Sequence, residues 1–149
     1  MLALLAAIAA ATTSTIHTAH PTAPRYFLWP AQGTITTPFV AGAHPGIDIG
    51  ILRSLTIRAA AAGRVELVGE PRGYEGYGKI VLVDVGGGYA TLYAHLAGFG
   101  VRAGDEVRAG EKLGLAGCTG WCTGTHLHFE LRLRGRAVDP SVIPISAAQ

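Results

Sequence analysis

Thr125-His126-Leu127-His128-Phe129-Glu130-Leu131-Arg132 is the stretch on which the reading of this chain turns. Polar and apolar residues alternate through it, and in a β-strand successive side chains point to opposite faces. Leu127, Phe129 and Leu131 then face a core, while His126, His128 and Glu130 share the other, wetter face. Two imidazoles about 7 Å apart on one face can approach a single small centre from neighbouring positions. Taken alone, the pattern also describes an ordinary half-exposed strand.

Two further polar islands interrupt apolar sequence. In Tyr93-Ala94-His95, alternation predicts Leu92, Ala94 and Leu96 on one face, with Tyr93 and His95 on the other. In His44-Pro45-Gly46-Ile47-Asp48, Pro45 and Gly46 disfavour a helix. A turn running into a strand at residues 47–49 is predicted instead. It leaves a nitrogen ligand and a carboxylate at the start of one β element. Two histidines and one carboxylate form a common catalytic zinc set, with a fourth position open to water. Each island is weak by itself; three in one short chain point to a common site.

The rest of the chain supports a β fold. Its 149 residues suit one domain. Hydrophobic residues make up 49% and charged residues 15%, so the chain folds, and 21 Gly with 8 Pro call for many short strands and tight turns. Strands are predicted at residues 34–37, 55–60, 64–69, 112–116 and 125–134. Residues 79–85 and 89–96 read as a hairpin across Gly86-Gly87-Gly88. Residues 71–78 form a Gly/Tyr-rich loop. No segment from residue 26 onward keeps a 3.6-residue apolar period through a full helix. Val101-Arg102-Ala103-Gly104-Asp105-Glu106 is echoed by Val107-Arg108-Ala109-Gly110-Glu111-Lys112, which predicts two successive β-turns.

The net charge of +2 comes without any basic run, which excludes the usual nucleic-acid signatures. Residues 2–11 are apolar but too short to span a bilayer. They read as the core of a secretory signal, with cleavage near residue 11 or 19, although no Lys or Arg precedes Arg25. Residues 12–25, with His17 and His20 as bystanders, read as a linker or tail, and residues 26–145 as the folded domain. The expected location is outside the cell or in its envelope, with no membrane insertion after cleavage. Cys118 and Cys122 lie in a Gly/Thr-rich loop. Export favours a disulfide between them, and two free thiols are the alternative. A structural zinc site needs four ligands and is not available from this pair.

The islands, in this order and context, resemble the lysostaphin-type, LytM-like zinc peptidases. The likeness runs from about residue 27 to residue 140. It includes Trp29-Pro30, Gly33-Thr34-Ile35-Thr36, the His44 island, Gly76-Tyr77-Gly78, Tyr93-Ala94-His95, Gly124-Thr125-His126-Leu127-His128-Phe129-Glu130 and Val138-Asp139-Pro140. The resemblance implies an all-β fold, a small antiparallel β sandwich or sheet with an open active-site groove. It implies one zinc ion (Zn2+) held by His44, Asp48 and His128, with His95 and His126 as the catalytic histidines. Glu130 becomes a candidate partner of His128. The implied activity is zinc-dependent hydrolysis of peptide cross-links or stem peptides of bacterial peptidoglycan, and the expected state is a monomer. Three departures stand out. The Arg common before the first ligand is absent, and Ile51-Leu52-Arg53-Ser54 replaces an Ala-Pro-x-Gly-type turn. Phe39 stands where some members carry a tyrosine hydroxyl. Relatives that bind the wall and activate another hydrolase lose zinc ligands, whereas this sequence keeps all five positions. The repeated turns also resemble those of lipoyl and biotinyl carriers. Neither lysine, Lys79 or Lys112, sits at the hairpin tip such carriers need.

Overall fold

Leu127–Leu133 carries the main sheet, because it hydrogen-bonds on both sides. One edge meets Ile47–Gly50 and then Thr34–Thr37. The other meets Tyr89–Ala94, followed by Ile80–Gly86, Gly63–Gly69 and Glu106–Val107. Arg136–Val138 pairs with the far end of the same strand. All eight strands are antiparallel to their neighbours. A second antiparallel sheet places Lys112–Ala116 between Thr56–Arg58 and Leu96–Phe99. Phe27–Leu28 and Ile145–Ser146 make a short parallel pair. This computed structural model describes residues 22–142 and 144–146. The expected signal, residues 12–21 of the expected tail, and His17 and His20 lie outside the described residues. Apart from one turn of 3-10 helix at Pro140–Val142, every regular element among the described residues is a strand. The all-β antiparallel expectation therefore holds.

The two sheets share one core. Ile47, Ile49, Leu127, Phe129, Leu131 and Tyr93 of the main sheet are buried with Ile57, Leu96 and Leu113 of the second. Each such aliphatic side chain contributes about 1.5–3 kcal/mol through burial. Tyr93 brings its hydroxyl into this core with both hydrogen-bonding roles filled. It accepts from Ala60 N at 2.8 Å and donates to Thr91 Oγ1 at 3.1 Å. The opposite face of the main sheet holds a smaller apolar group, Ile80, Leu92 and Ala94, against which Tyr74 and Tyr77 pack.

Two expectations need correction. The predicted strand at 89–96 is broken at His95, whose φ of 60° is left-handed. There the chain leaves the main sheet and enters the second. His95 N donates to Tyr77 O and Leu96 N to Lys79 O, so the corner keeps its backbone bonds. Alternation would have put His95 on the core face beside Tyr93; the left-handed turn removes it from there. The second correction concerns the face of His128 and Glu130, which is not wet. Glu130 is 0% and His128 5% exposed, because Tyr77 of the 71–78 loop covers them.

The internal repeat folds as read. Asp105 N bonds to Arg102 O and Glu111 N to Arg108 O. Asp105 and Glu111 return their carboxylates to Arg102 N and Arg108 N at 2.8 and 2.9 Å. Gly104 and Gly110 take φ of 95° and 81° at the third position of each turn, the place where a type II turn requires glycine. Gly104→Ala meets no close backbone, so it should cost only the left-handed penalty, about 1–2 kcal/mol. Gly63→Ala should cost more, since its Cβ would stand 2.1 Å from Asp84 O. Urea denaturation of the two variants checks the ranking, and the reverse order would contradict it.

Candidate active site

The strand register assembles the site. Asp48 lies directly opposite His128, and His128 directly opposite Ala94, so Asp48 and His128 project to the same face. The His44 island closes onto the central strand because Gly46 has no side chain. A Cβ there would fall 2.4 Å from Phe129 O. Two backbone bonds between Val40 and His44, at 2.9 and 2.7 Å, then fix the turn that presents His44. His126 enters beside His128 through an isolated bridge to Gly117. His95 arrives from its left-handed corner, its ring 4.7 Å from that of His126 and 5.9 Å from that of His128. The structure thus brings all five sequence-predicted residues to one cleft.

Hydrogen bonds assign a tautomer to His44, His95 and His126. His44 Nδ1 donates to Pro38 O at 2.8 Å, His95 Nδ1 to Thr119 O at 2.7 Å and His126 Nδ1 to Gly124 O at 2.8 Å. A carbonyl only accepts, so each neutral ring keeps its lone pair on Nε2. His128 lies between two carboxylates, with Nδ1 2.8 Å from Asp48 Oδ1 and Nε2 3.1 Å from Glu130 Oε1. Asp48 Oδ1 then lies 2.8 Å from His128 Nδ1, 3.2 Å from His44 Nε2 and 3.7 Å from His126 Nε2. The Nε2 lone pairs of His44 and His126 converge on an anionic oxygen, an arrangement that a cation relieves. His44, Asp48 and His128 offer donor atoms within 4.8 Å of one another. Nitrogen, nitrogen and carboxylate oxygen is a set that fits zinc.

Glu130 anchors this arrangement from below. Its carboxylate takes His128 Nε2 and Tyr77 Oη (2.6 Å) on Oε1, and Arg132 Nε (2.6 Å) on Oε2. Arg132 continues to Tyr74 Oη at 2.9 Å and lies over the Tyr74 ring. Burial pushes the Glu130 carboxyl up, but the bonds from His128, Tyr77 and Arg132 outweigh it and hold it below the usual range. Asp48 is also raised by burial, and hydrogen bonds from His128 and Thr37 bring it down to about 2. Burial lowers His128, and its bonds to Asp48 and Glu130 more than compensate, so it sits above the ordinary value. His95 is lowered, first by burial and further by its neighbours His126 and His128, against the pull of Thr119 O.

The cleft has a volume of about 400 Å3. Sequence reading missed several of its parts. In sequence Tyr77 is only the middle of Gly76-Tyr77-Gly78, yet it closes over Glu130. Arg132 continues the alternation of His128 and Glu130, a signal that was present. Thr119 and Trp121 sit in the loop closed by the Cys118–Cys122 disulfide, with Cα atoms 5.5 Å apart. That pairing is the one expected of an exported chain.

Residues 42–140 match the model of Peptidase family M23. Murein hydrolase activator NlpD of Escherichia coli (strain K12) is 38% identical over 114 residues, covering 75% of this chain and 29% of that protein. DD-carboxypeptidase/endopeptidase Mpg of Neisseria meningitidis serogroup B is 41% identical over 97 residues, covering 65% of this chain and 22% of that protein. A zinc containing peptidase from Vibrio cholerae superposes with a TM-score of 0.61 at 26% identity, covering 86% of this chain and 40% of that one. The chain spans less than half the length of these relatives. The likeness to lysostaphin-type, LytM-like peptidases seen in the sequence is borne out. The match takes in all five clustered residues, and the chain belongs to peptidase family M23.

Proposed function

We propose that this chain is a zinc-dependent endopeptidase acting on the peptide part of peptidoglycan. His44, Asp48 and His128 hold the zinc, and His95 and His126 move protons. The observation that carries this reading is the tautomer pattern. The Nε2 lone pairs of His44 and His126 meet one carboxylate oxygen, each fixed by a bond on the far side of its ring. Zinc bound there supplies Lewis acidity, lowering the pKa of water to about 7 and polarising a carbonyl oxygen. His95 and His126 line the cleft with unprotonated Nε2 atoms. Either ring can take a proton from the attacking water and return one to the leaving amine. Thr119 O and Gly124 O hold the opposite nitrogens protonated, so neither ring must change tautomer before it acts. The depressed pKa of His95 favours the neutral, proton-accepting form.

Peptidoglycan as substrate is supported by the likeness to Mpg and NlpD. The Cys118–Cys122 disulfide supports a location outside the cytoplasm. The likeness to NlpD favours a second reading, in which the chain binds the wall and activates another hydrolase. The complete donor set speaks for hydrolysis.

The deciding test is digestion of purified cell walls of known cross-link type, with mass analysis of the fragments and metal analysis of the protein. About one zinc per chain and zinc-dependent release of peptides are expected, with His128→Ala losing both. A metal-free chain that releases nothing but accelerates another hydrolase would establish the second reading instead. Glu130→Gln addresses the support beneath His128. It keeps the size of the side chain and removes its charge, so zinc affinity should fall by about 10–100-fold. Competition with a chelator measures this, and an unchanged affinity would show that Glu130 does not tune the metal ligand.

A further inference from the structure

Trp121 is 84% exposed at the lip of the cleft, so it contributes little to the core. It is nevertheless held firmly. Its backbone N donates to Gly76 O at 2.8 Å, and its indole lies against Gly76, where a Cβ would be 3.1 Å from the ring. Gly120 and Gly78 allow the two loops to interlock. A Cβ on Gly120 would stand 2.4 Å from Gly76 O, and one on Gly78 2.4 Å from Thr119 C. The Cys118–Cys122 disulfide closes this loop from the other side. A large flat apolar surface kept in water by a rigid loop is preorganised for a ligand, since little ordering entropy remains to be lost on binding.

Trp121 also borders a second depression of about 240 Å3, which no histidine lines. Trp121, Glu75 and Gly76 line both spaces. The second one adds the exposed Glu70 and Arg72. It therefore offers carboxylates and a guanidinium, groups that recognise free amines and carboxylates. Stem peptides carry such charges, and neutral hexosamine rings do not. We propose that Trp121 is a specificity-determining platform: the peptide beside the scissile bond stacks on its indole and continues into the second depression, where its charged groups meet Arg72 and the two glutamates. The proposal rests on the reading of this chain as a peptidoglycan peptidase and names the part of the substrate recognised beyond the cleft.

The experiment reads binding and turnover separately. Trp29, the other tryptophan, is packed against the core, so Trp121 dominates solvent-sensitive emission. Rapid mixing of the full chain with soluble charged stem peptides should shift indole emission saturably before turnover. Neutral N-acetylhexosamine oligosaccharides should not, and Arg72→Gln should weaken the peptide response about tenfold. On cross-linked peptide substrates Trp121→Ala should raise KM about tenfold with kcat changed much less, and Trp121→Phe should restore most of it. Binding that persists in a chain unable to cleave walls would keep Trp121 as a stem-peptide platform while overturning the peptidase reading and, with it, the platform's place beside a scissile bond. Full hydrolysis with an unmoved KM and no emission change would overturn this proposal and leave the peptidase reading standing. An equal response to the oligosaccharides would also overturn it.

Discussion

The site depends on one register: Asp48 opposite His128 in an antiparallel pair. Side chains directly opposite each other lie on the same face, and the pair brings a carboxylate oxygen to 2.8 Å from a ring nitrogen. A slip of one residue would carry every side chain of the strand to the other face. It would bring Leu127, Phe129 and Leu131 to the cleft side and turn His128 and Glu130 into the apolar core. The apolar face therefore enforces the register, and the register places the proposed ligands. Gly46 matters for the same reason, since any side chain there would hold the His44 island away from Phe129 O.

Beneath the proposed ligands lies a charge that a core does not ordinarily accept. Glu130 is fully buried, and an unpaired carboxylate in that position would cost several kcal/mol. Three donors resolve this: His128, Tyr77 and Arg132. Among the described residues no buried side-chain nitrogen or oxygen is left without a partner. A well-packed apolar group could serve stability there as well as the ion pair does. It could not hold His128 Nε2, and His128 would then be free to turn Nδ1 away from Asp48. The buried network is better understood as fixing a ring orientation than as strengthening the fold.

Much of this was legible in the sequence, for reasons that differ by region. Thr34–Thr37 and Lys112–Ala116 occur with the bounds that local pattern predicts. The turns at Gly104 and Gly110 followed from their repeat, because a type II turn is specified within four residues. The three histidine islands were visible as polar residues in apolar runs. What escaped was non-local. The cover over His128 and Glu130 comes from Tyr77, 53 residues away from Glu130, and no period in either segment encodes that meeting. Alternation read His95 as a partner of Tyr93, and the left-handed φ at His95 defeated it. A non-glycine residue in that conformation is held there by surrounding contacts, here the bonds from His95 N and Leu96 N to the 77–79 segment.

That corner also divides the site between the two sheets. His128 and Asp48 lie within strands of the main sheet, and His44 is folded against it. His95 stands where the chain passes from one sheet to the other, and its ring is held by Thr119, just beyond the Lys112–Ala116 strand. His126 is bridged to Gly117 at the end of that same strand. The proposed metal ligands therefore belong to one rigid layer, while the proposed proton-moving residues sit on the seam with the other. The distance between the two functions is set by how the sheets pack, through Ile57, Leu96 and Leu113 against Leu127 and Phe129. A protein interior is packed closely enough to transmit small displacements, so a core change far from the cleft can misplace His95 and His126 without disturbing the ligand set. The fold thus makes the apolar core itself part of the geometry of the proposed site.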